Sequence, residues 1–127
     1  MQPLRTLRFL ALAVALCAAT ACGGYQTQLK VSLATTDGAA AAFEKFDKPH
    51  QDEIVAKATT ADELKTNLAD YRKKQQAVLD ALVLAYRAIA TAELNPSDIT
   101  VATASADVAA LVAVLKDLGV TVPTGGR

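Results

Sequence analysis

Five polar side chains in the middle of the chain are the best candidates for chemistry. Asp47 and His50 are three residues apart, so a helix through them would place both on one face. Tyr71, Arg72 and Gln75 form a second polar group further along. A carboxylate and an imidazole can bind a metal ion or a small polar ligand, but two ligands on one helix are too few for a metal site. We favour mutual pairing that fixes how two helices align, with plain solvent exposure as the remaining alternative.

Other kinds of site are not indicated. His50 is the only histidine, which excludes most acid–base schemes. Residues 22–127 contain no Ser-His-Asp arrangement, HExxH motif, glycine-rich phosphate loop or CxxC pair. They carry 11 basic and 13 acidic residues, a balance that gives no electrostatic reason to bind nucleic acid. We therefore expect no enzymatic activity, no cofactor, no metal and no nucleic-acid partner.

The elements that must position these side chains are helices. The 127 residues suffice for one domain, and their many alanines, few aromatics and lack of Trp suit close helix packing. Three helical stretches are predicted, over residues 26–58, 61–93 and 96–118. We expect an all-α fold, a long antiparallel helical hairpin with a third, shorter helix that completes a three-helix bundle across residues 26–119.

The apolar seams give this prediction its register. In each of the first two stretches, the residues of the seam recur every three or four positions and therefore lie on a single face of the helix. In a tight hairpin, the numbers of two residues that face each other should add up to about 118. Phe43 should then lie near Gln75, and the polar group at 71–75 should face Asp47. The predicted seam of the third stretch consists of Val101, Ser105, Val108, Val112 and Leu115.

Residues typical of helix caps mark the helix ends. Thr60 and Glu63 fit a capping box, Asn95 followed by Pro96 fits a cap with proline at the first helical position, and Gly119 is a natural stop. Pro49 and the turn pair at 37–38 could break the first helix, but the seam keeps its phase across both sites. We therefore expect a kinked but continuous helix.

Two regions of the body are expected to lie outside the packed bundle. Because the third helix is shorter than the other two, the hairpin near residues 50–68 should protrude uncovered. That end is either a contact surface or simply solvated. The tail at 120–127 is expected to be loose.

Residues 1–21 have the zones of a secretory signal that is removed. Arg5 and Arg8 lie in a positive start, residues 9–19 are apolar, and the exit consists of small residues. The apolar stretch is about half the ~20 residues that a helix needs to cross a bilayer, so a permanent span is disfavoured. We expect no later segment to span a membrane either.

The exit Ala19-Thr20-Ala21-Cys22 resembles the lipobox of bacterial lipoprotein precursors. The family's usual Leu at the first position is Ala19 here, and the resemblance covers only the leader. It implies cleavage before Cys22, diacylglycerol on that cysteine and anchoring in an envelope membrane. The same residues fit ordinary signal peptidase, whose product would simply be secreted. Cys17 leaves with the leader, and acylation would remove the one thiol that remains.

The residue at position 23 bears on which envelope membrane would hold the protein. It is Gly, whereas in Gram-negative lipoproteins an Asp there often marks retention at the inner membrane. The resemblance therefore implies the periplasmic side of the outer membrane if the envelope is Gram-negative. Residues 22–25 are expected to form the lipid anchor and a flexible joint.

The body carries a second, unspecific resemblance. The segment Phe46-Asp47-Lys48-Pro49-His50-Gln51, followed by Tyr71-Arg72, is similar to small uncharacterised helical lipoproteins of bacteria and their prophages, and implies no activity. The sequence thus favours a non-enzymatic, lipid-anchored protein that acts by contact with an envelope partner or by self-association. One alternative is a small-ligand or metal-binding lipoprotein using Asp47, His50 and Tyr71. Another is a lipoprotein of phage lysis or superinfection exclusion, which rests on size and anchor alone.

Overall fold

A computed structural model describes residues 24–123. In this part the chain forms three helices and no strand: α1 (Gly24–Lys57), α2 (Ala61–Leu94) and α3 (Asp98–Leu118). Each helix packs against both others. The predicted all-α three-helix bundle is therefore confirmed, and the helix bounds differ from the prediction by no more than two residues.

Helix α1 is continuous through both positions that could have broken it. Pro49 and Gly38 lie within its span. A proline inside a helix removes one backbone hydrogen bond. The buried positions of α1, from Leu29 to Phe43, lie on one face across Gly38, and a hydrogen bond of 3.1 Å joins the side chains of Asp47 and Gln51 on either side of Pro49. The expectation of an unbroken first helix is confirmed.

The start of α1 differs from the expected flexible joint. Gly24 and Tyr25 are already helical, and the Tyr25 hydroxyl donates a hydrogen bond to Asp98 at the start of α3. This bond joins the first turns of α1 and α3, so the joint prediction is wrong for residues 24 and 25. Cys22 and Gly23, like the whole leader, lie outside the described residues.

The hairpin register is the predicted one. The Tyr71 hydroxyl donates to Asp47 Oδ1 at 2.7 Å, a pair whose numbers sum to the expected value. The core consists of one stripe from each helix together with the segment after α3: Leu29, Ala39, Phe43, Val78, Ala85, Ile89, Ala92, Val101, Ala104, Val108, Leu111, Leu115 and Val120.

The turn between α1 and α2 is capped by Thr60, as predicted. Its side chain accepts from the Glu63 backbone N–H at 3.1 Å. The Glu63 carboxylate reaches one residue further back than a capping box requires and accepts from the backbone N–H and hydroxyl of Thr59, at 3.0 and 2.7 Å. These bonds lower the pKa of Glu63, and the carboxylate remains next to the positive end of the α2 dipole.

Helix α3 begins later than predicted, because a better cap lies downstream of Asn95. The Ser97 side chain accepts from the Thr100 backbone N–H at 3.1 Å, and the Thr100 hydroxyl accepts from the Ser97 backbone N–H at 2.9 Å. This reciprocal box satisfies two free backbone donors. Asn95 instead ends α2, with its backbone N–H bonded to the Thr91 carbonyl at 3.0 Å.

The buried face of α3 agrees with the predicted seam at Val101, Val108 and Leu115 and differs at the other two positions. Ser105 is exposed, and Ala104 and Leu111 are fully buried in its place. Helix α3 is rich in alanine and valine on several sides, so spacing alone leaves more than one possible stripe. Packing against α1 and α2 selects the stripe with the bulkier Leu111.

The chain after α3 packs against the bundle instead of hanging free. Gly119 adopts the left-handed conformation with φ of 91°, and its backbone N–H bonds to the carbonyls of Leu115 and Lys116. Val120 is buried, with its backbone N–H 2.9 Å from the Leu115 carbonyl, and Val122 packs against the core. The loose-tail prediction is therefore wrong for residues 120–123, and residues 124–127 lie outside the described part.

Candidate functional site

Asp47 is the centre of the polar cluster between α1 and α2. Its Oδ1 accepts from the Tyr71 hydroxyl at 2.7 Å and from Gln75 Nε2 at 2.9 Å. Its Oδ2 accepts from Gln75 Nε2 at 3.0 Å and from Gln51 Nε2 at 3.1 Å. Both oxygens are therefore occupied by donors from the chain itself. Gln51 was not predicted as a member, although its position one turn after Asp47 is the spacing that makes such contacts.

Tyr71 is the buried member of this cluster, with 4% of its surface exposed. Burial, and then the hydrogen bond to Asp47 and that group's negative charge, raise the pKa of Tyr71 far above its ordinary value. The phenol stays protonated and acts as a donor. It has none of the features of an activated acid or base.

His50 lies between two aromatic rings. Its ring stacks on Phe46 at a centroid distance of 4.7 Å and is tilted against Tyr71 at 4.8 Å. Its Nδ1 is 3.8 Å from Glu53 Oε2, and Glu53 also pairs with Lys57, whose ammonium lowers the pKa of Glu53. The imidazole thus contributes mainly a flat surface to the packing.

Arg72 does not join the cluster. It is exposed, and its guanidinium has no hydrogen bond or ion pair within residues 24–123. The structure thus brings together four of the five predicted residues: Asp47, His50, Tyr71 and Gln75.

The chemical capacity of this cluster is limited. In residues 24–123 no group of three or more His, Cys, Asp or Glu side chains could hold a metal ion. In the same range every buried side-chain nitrogen and oxygen has a hydrogen-bond partner. A ligand would have to displace internal donors from Asp47, which costs more than it gains unless the ligand replaces all of them. The contacts fit a cluster that fixes helix register.

A second tyrosine–aspartate pair, which sequence reasoning did not find, joins the same two helices nearer the α1 start. The Tyr86 hydroxyl donates to Asp37 Oδ1 at 2.6 Å. Tyr86 is 37% exposed, and the hydrogen bond to Asp37, followed by partial burial, raises the pKa of Tyr86 to about 12. The sum of the two residue numbers is close to that of the first pair, which is the signal that could have revealed it.

The far end of the hairpin forms a different kind of surface. We define the hairpin end as residues 51–70, a stretch that contains no buried residue. Its inward positions Ile54, Ala58, Leu64 and Leu68 are only half-buried, and Val55 is 53% exposed. Helix α3 ends too early to cover this part. The hairpin end is therefore a two-helix extension that lies opposite the start of α1.

A groove runs along the outer side of the bundle between α2 and α3. Near the connection of these helices it has a volume of about 290 Å³ and includes Leu84, Arg87, Ile99 and Asp107 in its lining. Towards the end of α3 a second depression of about 140 Å³ follows the same two helices. Leu84 and Ile99 are 52% and 79% exposed. We call this surface the α2–α3 groove.

Helix α3 meets the length and composition of a membrane span, with a mean hydropathy of 1.7 over its most apolar window. The expectation that no segment after the leader could span is therefore wrong on these two criteria. A core helix meets the same criteria, so one such helix is weak evidence for a span, and one face of α3 forms part of the core of this bundle.

The fold and cluster define the protein as an all-α three-helix bundle with an internal polar cluster. Comparison with protein-family models, with curated proteins and with solved structures gives no significant match to this chain.

Proposed function

We propose that this protein is a lipid-anchored, non-enzymatic component of the bacterial cell envelope that acts through contact with other proteins. The lipobox-like exit before Cys22 predicts cleavage there and acylation of the new N-terminus. Each buried methylene of an acyl chain contributes about 0.8 kcal/mol, so several chains would hold the body on the membrane firmly.

The position of the hairpin end relative to the anchor is the observation that carries the contact role. Helix α1 begins at Gly24, two residues after the proposed anchor, and its 34 residues lead to the turn before α2. At ~1.5 Å per residue, this helix is about 50 Å long. The hairpin end would therefore lie far from the membrane surface, where a protein of the same compartment could contact it.

The polar cluster supports this proposal over the ligand-binding alternative. The acceptor oxygens of Asp47 are engaged by Tyr71, Gln75 and Gln51, so the carboxylate is not directed at an open cavity. A carboxylate with its donors supplied internally contributes to stability and alignment. Within residues 24–123 no specific contact favours the metal-binding or phage-related alternatives.

Intact mass of the protein extracted from membranes tests the anchor. The expected mass is that of residues 22–127 plus acyl groups. Cys22→Ala should leave an unacylated chain, whereas Cys17→Ala is the matched control and should be acylated like the wild type. A wild-type protein that begins at Met1, or that begins at Cys22 with a free thiol, would refute the anchor.

A photocrosslinking residue placed at the hairpin end tests the contact role. At Val55, which is 53% exposed, crosslinking in intact cells should give one adduct of defined size. Leu79, which is 44% exposed on the bundle itself, is the control position and should not give that adduct. Equal adducts at both positions, or none at Val55, would contradict a contact role for the hairpin end.

A further inference from the structure

The two sides of the α2–α3 groove carry opposite charges. On the α2 side the charged lining residues are Lys74 and Arg87, and on the α3 side they are Asp107 and Asp117. None of these four charged groups has an ion-pair or hydrogen-bond partner within residues 24–123. Asp80 lies two turns before Arg87 on the same face of α2; it lines neither depression, and its carboxylate accepts from Gln76 Nε2 at 2.8 Å. At its two depressions the groove therefore has basic residues on its α2 wall and acidic residues on its α3 wall.

The charges of the two walls lie at similar heights along the bundle. Helices α2 and α3 are antiparallel, and residues that line the same part of the groove, such as Leu84 with Asp107, have numbers that sum to about 191. In this register Lys74 is level with Asp117. Arg87 and Asp107 are displaced by about three residues, or ~4.5 Å, which an arginine side chain can span.

We infer that this groove is the interface of a parallel homodimer, in which the basic α2 wall of each copy faces the acidic α3 wall of the other. Charge complementarity selects a second copy as the occupant, because the surface carries both halves of the pattern itself. In a two-fold interface each contact occurs twice. The Arg87–Asp107 and Lys74–Asp117 contacts would therefore give four ion pairs between the copies.

The charge pattern also selects the direction of the two-fold axis. An axis across the helices would place α2 against α2 and α3 against α3, so that like charges meet. An axis along the helices places α2 of one copy against α3 of the other, so that opposite charges meet. Only the second arrangement places each charged wall against a wall of opposite charge. Both arrangements give every helix at the interface an antiparallel neighbour, as in an up-down-up-down four-helix bundle, so the charges distinguish them.

The apolar residues of the groove fit the same arrangement. Leu84 and Ile99 are large side chains that the single chain leaves more than half exposed. Helix α3 has 21 residues, and a face of that length and two helices wide offers about 600 Å² per copy, or about 1,200 Å² in total. This area lies at the low end for specific interfaces, so the dimer should be weak and sensitive to charge.

The parallel arrangement places the starts of both α1 helices at the same end of the dimer. Two copies could then be held on one membrane, with both hairpin ends pointing away from it. The dimer does not depend on the lipid anchor, because the charges and apolar groups that form it all lie on α2 and α3.

Sedimentation velocity of the full chain in a density-matched non-ionic detergent tests this inference. The wild type should show a concentration-dependent monomer–dimer equilibrium that weakens as salt is added. Arg87→Glu and Asp107→Arg should each weaken the dimer about tenfold, because each reversal makes two ion pairs repulsive. Arg72→Glu changes the same charge outside the groove and should leave the equilibrium unchanged.

The decisive sample is an equimolar mixture of R87E and D107R chains. In their heterodimer the introduced glutamate of one chain faces the introduced arginine of the other, and the second contact keeps its original Arg87 and Asp107. Mixing should therefore restore the dimer affinity that each variant alone has lost. The variants K74E and D117K repeat the test at the other end of the groove, and circular dichroism checks that every variant is folded. A mixture with no more dimer than its components, or a wild type that stays monomeric at about 100 µM, would overturn the inference.

Discussion

The two tyrosine–aspartate pairs between α1 and α2 allow a direct test of how burial changes the worth of one hydrogen bond. Tyr71 donates to Asp47 at 2.7 Å and Tyr86 donates to Asp37 at 2.6 Å. The chemical groups and distances match, but Tyr71 is 4% exposed and Tyr86 is 37% exposed. The second pair is therefore an internal control for the first.

The expected magnitudes follow from what each aspartate leaves behind when it is removed. Asp47→Ala leaves the Tyr71 hydroxyl buried without its acceptor, a penalty of about 1–3 kcal/mol. Asp37→Ala leaves the Tyr86 hydroxyl able to bond to water, which replaces most of the lost interaction. We expect a coupling energy of about 2 kcal/mol for the buried pair and about 0.5 kcal/mol for the exposed pair.

The assay is a double-mutant cycle for each pair. Urea unfolding followed by circular dichroism gives the free energy of unfolding of the wild type, the Tyr→Phe variant, the Asp→Ala variant and the double variant. Coupling energies that are equal for the two pairs, or a buried coupling below about 0.5 kcal/mol, would refute the argument that burial gives Asp47 its structural role.

Three further predictions concern the helix ends and alkaline pH. Ser97→Ala should lower the free energy of unfolding by about 1 kcal/mol, since it removes the α3 cap, and Asn95→Ala should lower it less; equal losses would favour the cap expected from sequence. Gly119→Ala should cost about 1 kcal/mol through its φ of 91° alone, because a Cβ there meets no atom within 4 Å; an unchanged melting temperature would contradict this. The pKa of Tyr71 is raised in the folded state, so the unfolded chain loses the phenol proton first. Stability present below pH ~10 should therefore fall as pH rises above that value, and less steeply in Tyr71→Phe, measured as unfolding midpoints from pH 8 to 11.5.

The sequence by itself was informative where one stripe of each helix was clearly apolar. In α1 and α2 the seam keeps its phase from one end of the helix to the other, which favours burial of one face. This gave the span of both helices, the cap at Thr60 and the register that joins Asp47 to Tyr71. This register brings four residues of the polar cluster together. Arg72 lies outside the cluster, because the adjacent Tyr71 occupies the inward position.

Sequence reasoning was weaker where the chain was apolar on several sides. Helix α3 offered more than one stripe, so Ser105 was placed inward when Ala104 and Leu111 are the buried residues. Residues 120–123 carried no periodic signal, yet Val120 and Val122 cover part of the core, because α3 ends beside an apolar surface that remains open.

The sequence alone determined the helical class and the hairpin register, since these depend on local spacing, and the proposed processing at Cys22 rests on a short segment at its start. The tertiary structure decided the buried face of α3, the exposure of the hairpin end and the two charged walls of the α2–α3 groove. The physical reason is that these features depend on how α3 lies against the hairpin. When several faces of a helix are apolar, any of them could turn towards the core. The volume of the core that has to be filled selects one of these faces.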